Sequence, residues 1–332
     1  MTGDPPPRPG APLVTPASAN PVLDPTTQRF IDALADAGKL PLESSSAAEA
    51  RAWLTEIQSG PVDKPPVDCI DLTLPIGPTG SLELRIVRPE GATAPLPVVL
   101  YCHGGGWIMG DRHTHDRLIR ELAVGANAAI VFVDYTRAPE ALDPVQTEQA
   151  DAALRYIVAN AAALHLDPAR LAVAGDGSGG TMAIALALAT KRRKGPPIAL
   201  QLLFYPNTDG ISDRGSFKTF ENGPWMTLPV LRSFCAAAFP GGTGLIVNPL
   251  RTALADLEDM PPTLLITAEN DMLRDDGEAY GRRLMQAGVS VVATRYNGTI
   301  RDFVMLDALA ETPAARAAIA QATEGLRAAL HP

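Results

Sequence analysis

A largely parallel β-sheet covered by helices on both faces is the fold this sequence predicts, on three observations. Apolar runs of five to seven residues recur along the chain, without the strict in–out alternation of a sheet wetted on one side. Helical segments separate the later runs, as crossovers between parallel strands require. A glycine-rich turn in AVAGDGSGGTMAIALALAT (172–190) leads one of those runs straight into an apolar helix.

Eight of the first 25 residues are proline, so residues 1–23 are expected to form a disordered or extended arm. Asp24 followed by Pro25 has the form of a helix N-cap with proline at the first helical position, and Phe30, Ile31 and Leu34 share one face. Gly38 closes that helix, and Ala47–Ile57 reads as a second. Strand-like runs follow at 70–74, 82–87, 97–102 (PVVLYC), 129–135 (AIVFVDY), 170–175 (RLAVAG), 199–205 (ALQLLFY), 263–268 (TLLITA) and 290–296 (SVVATRY), with helical segments at 116–124 and 148–161. Residues 66–208 and 259–332 thus form the expected core. Residues 24–65 and the insert 209–258 are expected to form a helical cap over the strand ends, where α/β folds bind ligands.

The bulk composition excludes several partners. The 332 residues carry a net charge of −9, which argues against a nucleic-acid backbone as ligand. The basic run Lys191-Arg192-Arg193-Lys194 lies at a helix end, where it complements the helix dipole. No segment approaches a membrane span, the N-terminus lacks the basic and apolar regions of a signal peptide, and three cysteines make no disulfide framework. A cytoplasmic protein needing no cofactor or metal, able to pair with a second copy, is the expectation. His113 and His115, with Asp111 and Asp116, read as a loop and helix start rather than a metal site.

Two chemistries compete for the turn. As Gly175-x-Gly177-x-x-Gly180 it matches a dinucleotide fingerprint, which calls for an early place in the fold and an acid about 20 residues on. Here the turn follows several strands, and no acid appears until Asp209. As Gly175-x-Gly177-x-Gly179 it has the frame of a nucleophile elbow, with Gly177 at the nucleophile's place. That reading calls for an upstream glycine loop after a strand, then an acid and a histidine after two later strands. His103-Gly104-Gly105-Gly106-Trp107 follows PVVLYC, and Asp271 follows TLLITAEN. The elbow reading fits the context.

HGGGW, DYTRAPE (134–140), GDGSGG, the YP of LLFYPNTDG, ENDMLRDDGEAY and YNGTIRDF resemble, in order and spacing, the hormone-sensitive-lipase-like esterases, over roughly residues 24–325. The resemblance implies an α/β-hydrolase fold, with a mostly parallel central sheet, helices on both faces and a helical cap. It implies cytoplasmic carboxylesterase chemistry by a Ser-Asp-His triad, with an oxyanion hole built from the HGGG loop and the N–H of residue 178. Carried over by position, Asp271 is retained, while Gly177 stands at the serine's place and Arg301 at the histidine's.

These departures bear on chemistry. Glycine accepts the elbow's backbone at little steric cost while supplying no hydroxyl. A serine is a weak nucleophile without a base, and guanidinium, always protonated, is no base. Ser178 as a shifted nucleophile would put Asp176 where close packing calls for a very small side chain. The oxyanion apparatus needs no nucleophile and can stabilise an enolate or alkoxide. The expected site is therefore His103, Gly104, Gly105, Gly106, Gly177 and Ser178 for ligand binding, with Asp271 and Arg301 as catalytic candidates. Asp271 is either a base or the salt-bridge partner of Arg301, and an inward Arg301 would clamp a carboxylate. The expected ligand is a small carbonyl or carboxylate compound. Three functions fit: a repurposed enzyme catalysing elimination, cyclisation or isomerisation; a ligand-binding pseudoenzyme; or a residual or engineered carboxylesterase using Ser178.

Overall fold

The computed structural model describes residues 21–39, 42, 45–241 and 248–332. Of the expected arm at 1–23, residues 1–20 lie outside the described residues, as do 242–247 of the insert. Each apolar run forms a strand: β1 (Val67–Leu74), β2 (Leu82–Pro89), β3 (Leu96–Cys102), β4 (Ala129–Asp134), β5 (Leu166–Asp176), β6 (Leu200–Phe204), β7 (Thr263–Asn270) and β8 (Val291–Ile300). They build one sheet in the order β1-β2-β4-β3-β5-β6-β7-β8. β2 pairs antiparallel with β1 and β4, and the ladders from β4 across to β8 are parallel. This is the α/β-hydrolase fold, and the order of its central strands sends β3, β5, β7 and β8 out at one end of the sheet.

The helices are α1 (Pro25–Asp36), α2 (Ala47–Ile57), α3 (Asp116–Ala126), α4 (Val145–Ala159), α5 (Ser178–Arg192), α6 (Gly215–Phe220), α7 (Leu228–Ala238), α8 (Leu254–Leu257), α9 (Arg274–Gln286) and α10 (Pro313–Leu330). They cover both faces, with α3 packed on α10 and α4 on α5. Every residue of β3 is buried, as an all-apolar strand in the middle of a doubly covered sheet must be. Helix α4 starts three residues before the expected segment, behind Pro144. His165 takes a left-handed turn (φ 51°) directly before β5. Among the described residues, no helix is long and apolar enough to cross a membrane.

Local chemistry starts the two N-terminal helices. The Asp24 carboxylate accepts from the N–H of Thr26 and Thr27 ahead of Pro25, and Ser46 and Glu49 form a reciprocal capping box on α2. Helix α2 is then fastened to the glycine loop. Arg51 donates from Nε to Ile108 O (2.8 Å) and from Nη2 to Ala138 O (2.8 Å) while pairing with Glu140. Phe30 and Trp53 stand 5.6 and 5.5 Å, ring to ring, from Trp225 of the insert. Segments far apart in sequence thereby meet above the strand ends.

Candidate active site

The turn between β5 and α5 is set by close packing. A Cβ at Gly175 would meet the backbone of Gly179 and Cys102, and one at Gly179 the carbonyl of Cys102. Gly177, at the apex, holds φ 54° and ψ −120°, a backbone that an L-residue adopts only under strain. Its N–H donates to Phe204 O at 2.9 Å.

The glycine loop lies beside this apex. Gly105 (φ 100°), Gly106 (φ 63°) and Trp107 (φ 64°) are all left-handed, and Gly105 O accepts from Ile108 and Met109 N–H. Among the described residues, the N–H groups of Gly105, Gly106 and Ser178 donate to no protein acceptor, and all three residues line the same cavity. Ser178 also opens α5, so its N–H lies at the positive end of a helix dipole.

Beneath the loop, Asp176 accepts from Tyr101 Oη (2.8 Å) and Gly104 N (2.9 Å), and lies 3.4 Å from His115 Nε2. Burial alone would push this carboxyl up. His115 and Tyr101 outweigh burial and hold it below its usual range. Burial likewise disfavours His115 as a cation, and Asp176 lifts it above an ordinary imidazole. This buried His115–Asp176 pair fixes the loop from below, a role for His115 that spacing alone did not reveal. His103 is a brace. Its ring stacks on Tyr135 at 4.0 Å, Nδ1–H donates to Gly104 O (2.8 Å), and burial, with His115 nearby, pushes it down to about 4.

The loops after β7 and β8 supply the charged groups. Arg301 Nη1 donates to Asp271 Oδ2 (3.0 Å) and to Tyr205 O (2.8 Å), with the guanidinium 5.4 Å over the Tyr205 ring. Leu273 N–H donates to Asp271 Oδ1 at 2.9 Å. Burial pushes the Asp271 carboxyl up against the pull of Arg301. Burial also opposes charge on Arg301, and Asp271 and Asp302 more than offset it. The two orientations open for Arg301 are realised together: Nη1 pairs with Asp271, while Nη2 lies 2.8 Å from where a Cβ on Gly177 would stand. Arg301 lines the cavity and Asp271 does not, so the geometry gives Asp271 the salt bridge rather than contact with a ligand.

The carboxylate that does line the cavity is Asp302, which is not among the residues carried over by position. It holds a left-handed backbone (φ 66°), accepts from Trp225 Nε1 at 2.8 Å, and has Oδ1 3.8 Å from Arg301 Nε. Burial pushes it up to about 6, against Arg301 and Trp225. The only sequence signal for it was its place directly after Arg301. Ser178 Oγ is committed elsewhere, accepting from Trp107 N–H (3.3 Å) and hydrogen-bonding Tyr135, whose hydroxyl donates to His103 O. His331 lies far off, against Ala126 and Asn127 carbonyls.

The cavity has two small compartments sharing Gly105, Met109, Met226, Phe234 and Asp302. One, of about 30 Å³, holds Gly106, Ser178, Asn207 and Arg301; the other, of about 40 Å³, is walled by Trp53, Leu54, Trp225, Val230 and Met305. The donors, the guanidinium and Asp302 thus line one compartment, which shares a wall with the second.

An elbow and a glycine loop at one end of a mostly parallel sheet, with an acid after β7 and a charged turn after β8, define an alpha/beta hydrolase. Residues 99–305 match the family described as having the alpha/beta hydrolase fold. The chain belongs to that family, in its hormone-sensitive-lipase-like branch. It is 34% identical to the carboxylesterase NlhH of Mycobacterium tuberculosis, over 96% of this chain and 100% of the relative. It is 35% identical to an ethyl acetate hydrolase of Pseudomonas putida, over 89% of this chain and 94% of that protein. The crystal structure of a thermostable esterase from Pseudomonas putida superposes with a TM-score of 0.91 at 39% identity, covering 94% of this chain and 99% of the other.

Proposed function

We propose that this alpha/beta hydrolase binds a small carbonyl or carboxylate compound in its oxyanion hole and acts on it without a serine acyl-enzyme. The observation carrying the reading is Arg301 Nη2, set over Gly177 beside the free N–H groups of Ser178, Gly105 and Gly106. Gly177 and Arg301 stand where the resemblance puts serine and histidine. Backbone donors and a guanidinium around one point favour oxyanion character in a ligand. The esterase relatives support carbonyl compounds as the class. The chemistry open to such a site is enolate- or alkoxide-forming: elimination, isomerisation or cyclisation. The helices at 24–65 and the insert 209–258 act as a cap that supplies the apolar wall.

p-Nitrophenyl acetate hydrolysis by the unaltered protein is expected near background, because loss of the serine or histidine of a well-studied triad costs on the order of 10⁶ in rate. Gly177→Ser alone recovers little: its Cβ lies 2.8 Å from a guanidinium nitrogen that Asp271 and Tyr205 hold from the other side. Gly177→Ser with Arg301→His restores burst-phase acylation, since nucleophile and base act as a unit. In calorimetry, Arg301→Ala weakens phenylacetate by about 2–5 kcal/mol and leaves methyl phenylacetate unchanged. A burst in the unaltered protein, abolished by Ser178→Ala, would overturn the reading in favour of a shifted nucleophile.

A further inference from the structure

We propose that Asp302 is the general base of this site, taking a proton from the carbon next to a ligand carbonyl whose oxygen rests on the Gly105, Gly106 and Ser178 N–H groups. The inference rests on the carbonyl-binding reading above and supplies the proton acceptor that reading lacks. Among the residues lining both compartments, Asp302 is the sole carboxylate, and the other ionisable groups there are Arg301 and Cys235. Cys235 is pushed up to about 11 by burial and stays a thiol. His103 and His115 lie under the loop, engaged with Gly104 O and Asp176.

The geometry suits proton transfer. The left-handed backbone at Asp302 and the Trp225 Nε1–H on Oδ2 fix the carboxylate in the wall shared by the two compartments. Among the described residues Oδ1 receives no short hydrogen bond, and Arg301 Nε lies 3.8 Å from it. One oxygen is positioned and the other is available. The groups acting on it electrostatically are Arg301, which favours the carboxylate, and Asp176 and Asp271, which disfavour it. His115 and Tyr205 also feel its charge.

In the step, the α C–H bond breaks and its proton forms an O–H bond on Asp302. The C–H electron pair becomes a carbon–carbon double bond, and the carbonyl π pair moves onto the oxygen facing the N–H donors and Arg301. The proton can return to the same carbon, or to another to complete an isomerisation. No oxidant or further reactant is needed.

The test uses the whole protein in D₂O with 2-oxobutanoate, following loss of the C3 proton signal by NMR and binding by tryptophan fluorescence. The expected result is saturable binding with catalysed exchange that rises with pH through about 6. Asp302→Asn retains an oxygen to accept from Trp225 and should bind comparably, yet lose exchange by about 10²-fold or more. Trp225→Phe, which removes the positioning bond and a hydrogen bond that favours the carboxylate, should reduce the rate and move the profile to higher pH. Binding with exchange at background, or with exchange unaltered in Asp302→Asn, overturns the base assignment and leaves the carbonyl-binding reading standing. No binding, or binding indifferent to Arg301→Ala, overturns that reading and the base with it.

Discussion

At the scale of single residues, Gly177 and Arg301 are one feature. The guanidinium nitrogen occupies the volume into which any side chain at 177 would project, so each residue is sized to the other. Asp302 carries the price of its position in its own titration. Its carboxyl sits at about 6 rather than the ordinary 3.8, so between these values the folded protein holds a proton that the unfolded chain has released. Stability from this group is therefore fully present below about pH 4 and falls as pH rises through 6. Asp302→Asn is expected to raise the melting temperature at pH 8 and leave it nearly unchanged at pH 4. Equal shifts at both pH values would mean that the carboxyl titrates normally in the fold.

At the scale of elements, all eight strands were legible because continuous apolar runs have few other uses in a chain of this composition. Residues 70–74 and 148–161 were short by about one turn or a few residues, since β1 is an exposed edge whose outer residues are polar and α4 opens behind a proline. The glycine loop and elbow were legible for a different reason: left-handed backbone and atomic contact leave glycine as the residue that fits. Asp302 and the pairing of His115 with Asp176 were not, because a buried charge is recognised by what surrounds it in space. The attachment of α2 was equally hidden, since nothing near Arg51 in sequence announces the carbonyls of Ile108 and Ala138. Arg51→Ala is expected to destabilise the protein by about 2 kcal/mol in urea unfolding, as its charged hydrogen bonds to the Ile108 and Ala138 carbonyls are lost. Arg51→Lys should recover less than half, because an ammonium cannot span both carbonyls and Glu140. A change under 0.5 kcal/mol for Arg51→Ala would show the attachment to be incidental.

At the scale of the whole molecule, the chamber is walled by α2, the glycine loop, the first turn of α5, the insert and the loop after β8. None of these segments forms it alone, so ligand affinity and global folding are expected to be lost together. The chamber's size has a kinetic consequence. Compartments of about 30 and 40 Å³ hold a few waters each, far below the roughly 300–1,000 Å³ of ordinary ligand pockets. Trp53 and Trp225, 5.5 Å apart ring to ring, both wall the apolar compartment, and their parting is expected to act as a first-order gate ahead of the bimolecular encounter. In stopped-flow fluorescence, the observed rate with phenylacetate should climb and then level off at the opening rate, and Trp225→Ala should lift the plateau. A rate linear in ligand to the highest concentration would mean the door stands open. With a gate, residence time is set by the same aromatic contact as admission, and a bound ligand leaves no faster than two tryptophans let it go.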